Sequence, residues 1–156
     1  MAARCEWRRI APPHAGRGLR PRPRGQSPGM MRIHIKRVYD EPSIADGARI
    51  LVDRMWPRGV SKAAAELDTW IPDVAPSNTL RAWFAHDAAR WREFRRRYFA
   101  ELAEQTESIE ALRRLATQRR VTLIYAARDE RHNNAVALRD YLLKHRTTDS
   151  QHSKGA

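Results

Sequence analysis

The chain has 156 residues, 42% of them hydrophobic, with 30 Lys and Arg against 18 Asp and Glu for a formal net charge of +12. Length and apolar content fit one globular domain, and no apolar run approaches the ~20 residues that a bilayer span needs. A single cysteine, Cys5, excludes a disulfide scaffold and any multi-cysteine zinc site built within one chain.

The charge is uneven. Residues 1–30 hold seven Arg and one Glu, residues 31–143 hold 20 bases and 16 acids, and residues 144–156 hold three bases and one acid. Two thirds of the excess therefore sits at the ends, and the mildly basic body makes a weak case for nucleic acid. Residues 1–30 also contain five of the nine Pro and four of the seven Gly, between Arg17, Arg20, Arg22 and Arg24. With few apolar groups to bury, this segment is expected to be disordered. It could serve as a nucleic-acid-binding arm or resemble a transit peptide, although its prolines oppose an amphipathic helix. The simpler reading is an extension upstream of a domain that begins at Met30 or Met31. A chain starting at Met31 is then expected to melt at the temperature of the full chain; a drop of several degrees would mean that the arm docks. Residues 146–156 read as a second polar, disordered tail.

In chain order, the first expected strand is Ile33 to Tyr39, with Ile33 and Ile35 on one face and Val38 on the other. Ile50-Leu51-Val52 is a continuous apolar run, as expected for a strand covered on both faces. Only nine residues separate Tyr39 from Arg49, fewer than a parallel crossover usually needs. These two strands therefore either pair antiparallel or are joined by one helical turn at Ser43–Asp46. Ser61 is placed to cap a short helix over 62–67, and Ser77 or Asn78 another through Phe84. Residues 67–71 fit either a short fourth strand or a helix end.

Asp87 opens the clearest helix, to about Gln105, with Trp91, Phe94, Tyr98 and Leu102 on one stripe and Arg90, Arg92, Arg96 and Arg97 largely off it. Glu93 and Arg97 form a favourable i,i+4 pair. A further helix runs from Ser108 to Gln118, a third continuous apolar strand from Val121 to Ala126, and a last helix over 133–145. The result is a small layered α/β domain over residues 31–145, with a largely parallel or mixed three- to four-stranded sheet flanked by helices. The second and third strands are expected at its centre, adjacent or nearly so.

Polar loops follow the two buried strands, where open α/β sheets place their ligands. After the second strand come Asp53, Arg54, Arg58 and Lys62, with Pro57 stiffening the loop and Gly59 permitting a positive φ. Guanidinium groups beside a helix start suit an anion. After the third come Arg128, Asp129, His132, Asn133 and Asn134. His132 is the acid–base candidate, with Asp129 or Asp53 to orient it, and the two asparagines could donate to a ligand. Arg81 and His86 can join from the segment 78–87, where Asp87 reads as a helix cap. The plainer alternatives are an Asp53–Arg54 ion pair with Trp56 in the core, an Asn133 or Asp129 helix cap, and arginines each closed off by an acid.

No Gly-rich phosphate loop, serine-hydrolase elbow or dinucleotide fingerprint is present, and the six His include no i,i+4 pair to support a metal site. The sequence names no cofactor and leaves the oligomeric state open.

At these same segments the sequence resembles the YeaO-like family, a domain of unknown function in the DUF488 superfamily. The matching stretches are Ile35 to Asp40, Leu51 to Lys62, Ala75-Pro76-Ser77, Leu80-Arg81, Trp83-Phe84, His86-Asp87, Phe94 to Tyr98 and Thr122 to Ala135. Met55 and Pro72 depart from the residues common in the family and leave the polar set intact. The resemblance implies a cytoplasmic bacterial α/β domain starting close to Met31, with no reaction to carry over. A cousin group carries cysteines near the third-strand loop; this chain has none there, so thiol chemistry does not transfer.

Taken together, the expected function is binding of an anionic small molecule, a nucleotide or phosphorylated metabolite, with acid–base chemistry as an extension of it. The alternative is a nucleic-acid-binding protein using its Arg-rich tail and the Arg90–Arg97 helix. No membrane association is expected.

Overall fold

A computed structural model describes residues 31–144. The Arg-rich segment 1–30, with Cys5, and the tail 146–156 lie outside the described residues. Four strands, β1 (Ile33–Arg37), β2 (Ala48–Leu51), β3 (Thr69–Trp70) and β4 (Val121–Tyr125), form one sheet in the order β1-β4-β2-β3. Every neighbouring pair is parallel, with Leu123 of β4 opposite Ile35 on one side and Ile50 on the other. Among the described residues five α-helices accompany them: α1 (Lys62–Ala65), α2 (Asn78–Phe84), α3 (Trp91–Leu102), α4 (Thr106–Gln118) and α5 (Asn134–Lys144).

The antiparallel pairing considered for the first two strands does not occur, because β4 lies between them. The chain instead returns through the single helical turn at Ile44–Asp46, capped by the Ser43 hydroxyl. Ten residues suffice for this return because β1 is only five residues long, about 17 Å at the usual strand rise. Residues 67–71 do contain a short strand, added to β2 at the sheet edge.

The continuous apolar runs are explained by two unequal layers. Ile50 and Leu123 face the main core, where Phe84, Phe94, Tyr98, Leu112 and Leu138 arrive from α2 to α5. Their neighbours Leu51 and Ile124 face a smaller cluster with Val38 and Ala65, covered by Trp56, Val60 and Trp70. Ile33 and Val38 divide between the same two layers. Ser61 and Ser77 cap α1 and α2 through the Ala64 and Leu80 amides. Asp87 caps a helical turn at Ala88–Arg90 that leads into α3, so the long helix begins at Trp91.

Candidate functional site

Parallel strands end at the same edge of a sheet, so adjacency of β2 and β4 brings their following loops together. Asp53 is the joint. Its Oδ2 accepts from the Ala126 N–H at 2.9 Å and its Oδ1 from Asn134 Nδ2 at 3.0 Å. Asn134 Nδ2 also donates to the Val52 carbonyl at 3.0 Å. Burial pushes the Asp53 carboxyl above its ordinary value, opposed by the Asn134 and Ala126 hydrogen bonds and the charge of Arg81.

The third wall starts at Ala75-Pro76. Arg54 ties it to the β2 loop, donating from Nε to the Pro76 carbonyl and from Nη2 to the Ala75 carbonyl, both at 3.3 Å. Glu101 on α3 accepts from the Ser77 N–H and hydroxyl at 2.8 and 2.7 Å, fixing the start of α2. Ala85 and His86 then take left-handed backbone angles, φ +46° and +57°, and turn the chain beside the cleft. Gly59 in the β2 loop has φ +74°, the conformation for which its glycine is suited.

Between these walls lies a cleft of about 650 Å³. Asp53, Arg54 and Arg58 line it from the β2 loop, Arg81 and His86 from α2 and its end, and His132, Asn133 and Asn134 from the β4 loop. Phe84, Phe94, Pro57 and Ala82 supply apolar wall. Lys62 and Arg128 are exposed and do not line it. Asp129 stands behind His132, its Oδ2 2.9 Å from Nδ1. Hydrogen bonds from the Arg131 amide, then from His132, hold the Asp129 carboxyl below its usual range. An ionised Asp129 places the imidazole proton on Nδ1 and leaves Nε2 as the second functional nitrogen. The ring also sits edge-on to Trp91, with centroids 5.3 Å apart.

Several expectations change in detail. Asp53 and Arg54 form no ion pair; each is hydrogen-bonded elsewhere. Trp56 is half-buried, packing against the smaller core cluster and donating to the Val60 carbonyl. Asn133 caps α5, accepting from the Val136 N–H and donating to the Asp129 carbonyl, so its amide is committed within the protein. Asn134 is likewise committed to Asp53 and Val52. Arg54, Arg58, Arg81 and Arg128 take part in no ion pair among the described residues, so a network of arginines closed by acids is not formed.

The α3 arginines contrast with these. Arg95 pairs with Asp140, and Arg96 and Arg97 pair with Glu93, whose carboxyl is lowered to about 2 first by Arg96 and then by Arg97. Arg90 and Arg97 also lie over the Trp83 ring. Among the described residues, no cluster of three or more His, Cys, Asp or Glu is arranged to hold a metal, and no helix is long and apolar enough to cross a membrane.

Sequence reasoning overlooked the Ala75 and Pro76 carbonyls and the cleft-lining Tyr39 and Asn78. The Ala75-Pro76 dipeptide before a Ser cap was the available signal, since it fixes extended backbone whose carbonyls must find donors.

A family profile described as "Inactive DUF488-N3 subclade" matches residues 32–156. The chain belongs to the YeaO-like DUF488 family. "Uncharacterized protein YeaO" of Escherichia coli is 41% identical over 112 residues, 72% of this chain and 97% of the relative. "Uncharacterized protein Rv3073c" of Mycobacterium tuberculosis is 39% identical over 111 residues, 71% of this chain and 93% of the relative. No solved structure matches the chain. The cleft-lining residues, from Tyr39 to Asn134, all fall within the stretch that the family profile matches.

Proposed function

We propose that this family member binds a small anionic molecule, a nucleotide or phosphorylated metabolite, in the cleft beyond β2 and β4, and that binding rather than turnover is its task. The observation that carries the reading is that Arg54, Arg58 and Arg81 line one cleft without an ion-pair partner among the described residues. Guanidinium groups offer paired N–H donors matched to phosphate or carboxylate oxygens. The cleft volume is in the range of small-molecule sites, and its mixed lining of apolar rings with charged and polar side chains suits an organic anion. The family description as inactive supports binding over turnover. In this reading His132, held by Asp129, is a hydrogen-bonding wall rather than a catalyst. The paired and ring-stacked arginines of α3 favour a small ligand over a nucleic-acid backbone.

The test is thermal stabilisation of the chain by nucleoside monophosphates and sugar phosphates. A ligand at 100 times its Kd adds about 2.7 kcal/mol, which raises Tm by several degrees in a domain of this size. Arg58 is exposed, its backbone carbonyl accepts from the Tyr39 hydroxyl, and its side chain makes no hydrogen bond or ion pair among the described residues. Arg58→Ala is therefore expected to change the ligand-free stability by no more than about 0.5 kcal/mol while removing most of the ligand shift. A lower ligand-free Tm with an unchanged ligand shift would reverse the reading and make Arg58 structural.

A further inference from the structure

We propose that the ligand of this cleft is an anion that also carries an N–H donor, an amine or an amino-bearing ring, and that Asp53 reads the donor. The proposal rests on the anion-binding reading above and specifies which anion fits.

Its basis is a set of opposite charges held apart in one cavity. Asp53 lines the same cleft as Arg54, Arg58 and Arg81, yet pairs with none of them. Opposite charges in a partly dry cleft attract strongly. Loops bearing them would close into an ion pair unless something fixed their directions. Here both sides are fixed. Arg54 is turned to the Ala75 and Pro76 carbonyls, while the neighbouring Asp53 is turned to the Ala126 N–H and the Asn134 amide. The guanidinium and the carboxylate are adjacent in sequence and aimed at different partners.

Each Asp53 oxygen accepts one hydrogen bond from the protein, and a carboxylate oxygen has a second acceptor site. Those remaining sites belong to a residue that lines the cleft and is only partly buried. A simple anion seated on the arginines would meet repulsion from Asp53 and leave these acceptor sites empty. A molecule with an anionic group at one end and an N–H donor at the other satisfies both sets. Phe84 and Phe94 supply the apolar wall for the body between. The raised carboxyl of Asp53 agrees with this, since its burial outweighs the Asn134 and Ala126 hydrogen bonds and the charge of Arg81, and a further donor from the ligand would offset that burial.

Two twin pairs separate the possible sources of the donor: AMP against purine riboside 5′-monophosphate, which lacks the exocyclic amine, and phosphoethanolamine against ethyl phosphate. Binding to the full chain is measured by calorimetry, together with the Asp53 carboxyl ¹³C resonance. The aminated member of at least one pair is expected to bind about tenfold or more tighter, as for a hydrogen bond to a charged group, and to move the Asp53 signal. Asp53→Asn is expected to erase this preference while still binding the phosphate group. If Asp53→Asn does not fold, the resonance of the unaltered chain still decides. Twins that bind alike with an unmoved Asp53 signal would overturn the proposal and leave the anion reading intact. A preference that survives in folded Asp53→Asn would also overturn it. Failure of all four compounds and of inorganic phosphate to bind would sink the anion reading itself.

Discussion

Gly47→Ala is expected to destabilise the protein by about 3–5 kcal/mol, the upper range for a single substitution and a large share of a small domain's stability. Gly47 closes the helical turn before β2 with φ +68° and ψ −131°, a mirror-image conformation open essentially to glycine. Space is the second obstacle. A Cβ at this position would lie inside contact distance of the Arg120 carbonyl oxygen and 3.0 Å from the Arg120 carbonyl carbon. That oxygen accepts the Ala48 N–H at 2.9 Å, the bond with which β2 joins β4. Relief of the clash therefore has to open the central strand pair, and the obstructing atom is backbone, which cannot swing away. Urea unfolding of the variant should show a lower midpoint with an unchanged slope. A change under 1 kcal/mol would mean that the turn relaxes independently of the sheet. Gly59 gives the contrast: its φ is also positive, but a Cβ there would meet nothing within 4 Å, so only the conformational part of the effect remains.

Arg49→Ala is expected to cost about 3–5 kcal/mol, because it breaks a buried pair from one side. Arg49 is 4% exposed. Its Nη1 lies 2.6 Å from Asp46 Oδ2, and its Nε and Nη2 donate to the Ala65 carbonyl at 3.2 and 3.0 Å. Truncation leaves Asp46 with Lys36 as its remaining cationic partner and the end of α1 with an unpaired carbonyl. Burial would raise the Asp46 carboxyl, but the Ser43 amide, Lys36 and Arg49 outweigh it and hold the group below its ordinary value of 3.8. A carboxyl lowered on folding stabilises fully above its unfolded pKa, and the contribution is lost as pH falls through the folded one. The stability gap between the parent chain and Arg49→Ala should therefore be full near neutrality and shrink below about pH 4. A gap that stays constant into acid would assign the loss to packing of the Arg49 stem rather than to its charge. The double change Asp46→Asn with Arg49→Met should recover part of the loss, since it removes both charges together.

Neither of these positions announced itself in the sequence. In the sequence Arg49 is only the residue before the apolar run Ile50–Val52, because its partners lie at residues 46 and 65 and only the return of the chain brings them around it. Gly47 stood between an expected turn and a strand, and what crowds it is Arg120, the residue just before β4. In the candidate site the residue types were legible: Asp53, Arg54, Arg58, Arg81, His86 and His132 were read as site candidates and do line one cleft. Which polar groups remain available to a ligand was not legible. Asn133 and Asn134 have the same chemistry as ligand donors but are used inside the protein, and Arg128 and Lys62 project elsewhere. Spacing along a loop says nothing of where the loop's own backbone will need a donor.

What the sequence determined by itself was local and periodic. The uninterrupted apolar runs in β2 and β4 require cover on both faces, since successive side chains point to opposite sides of a strand. Ser61 and Ser77 mark helix starts because a short hydroxyl side chain can satisfy an otherwise unpaired amide. The same apolar runs also pointed to β2 and β4 as central neighbours in a largely parallel sheet, whereas the direction of β1 relative to β2 was decided by tertiary structure alone. Parallel and antiparallel neighbours present the same alternation, so β1 and β2 carried no local mark that β4 would enter between them. The joining of Asp53 to Ala126, 73 residues apart, belongs to the same class. A hydrogen bond across adjacent strand ends depends on which strands are adjacent, and that is settled by how two layers of side chains bury their combined apolar surface rather than by any one segment.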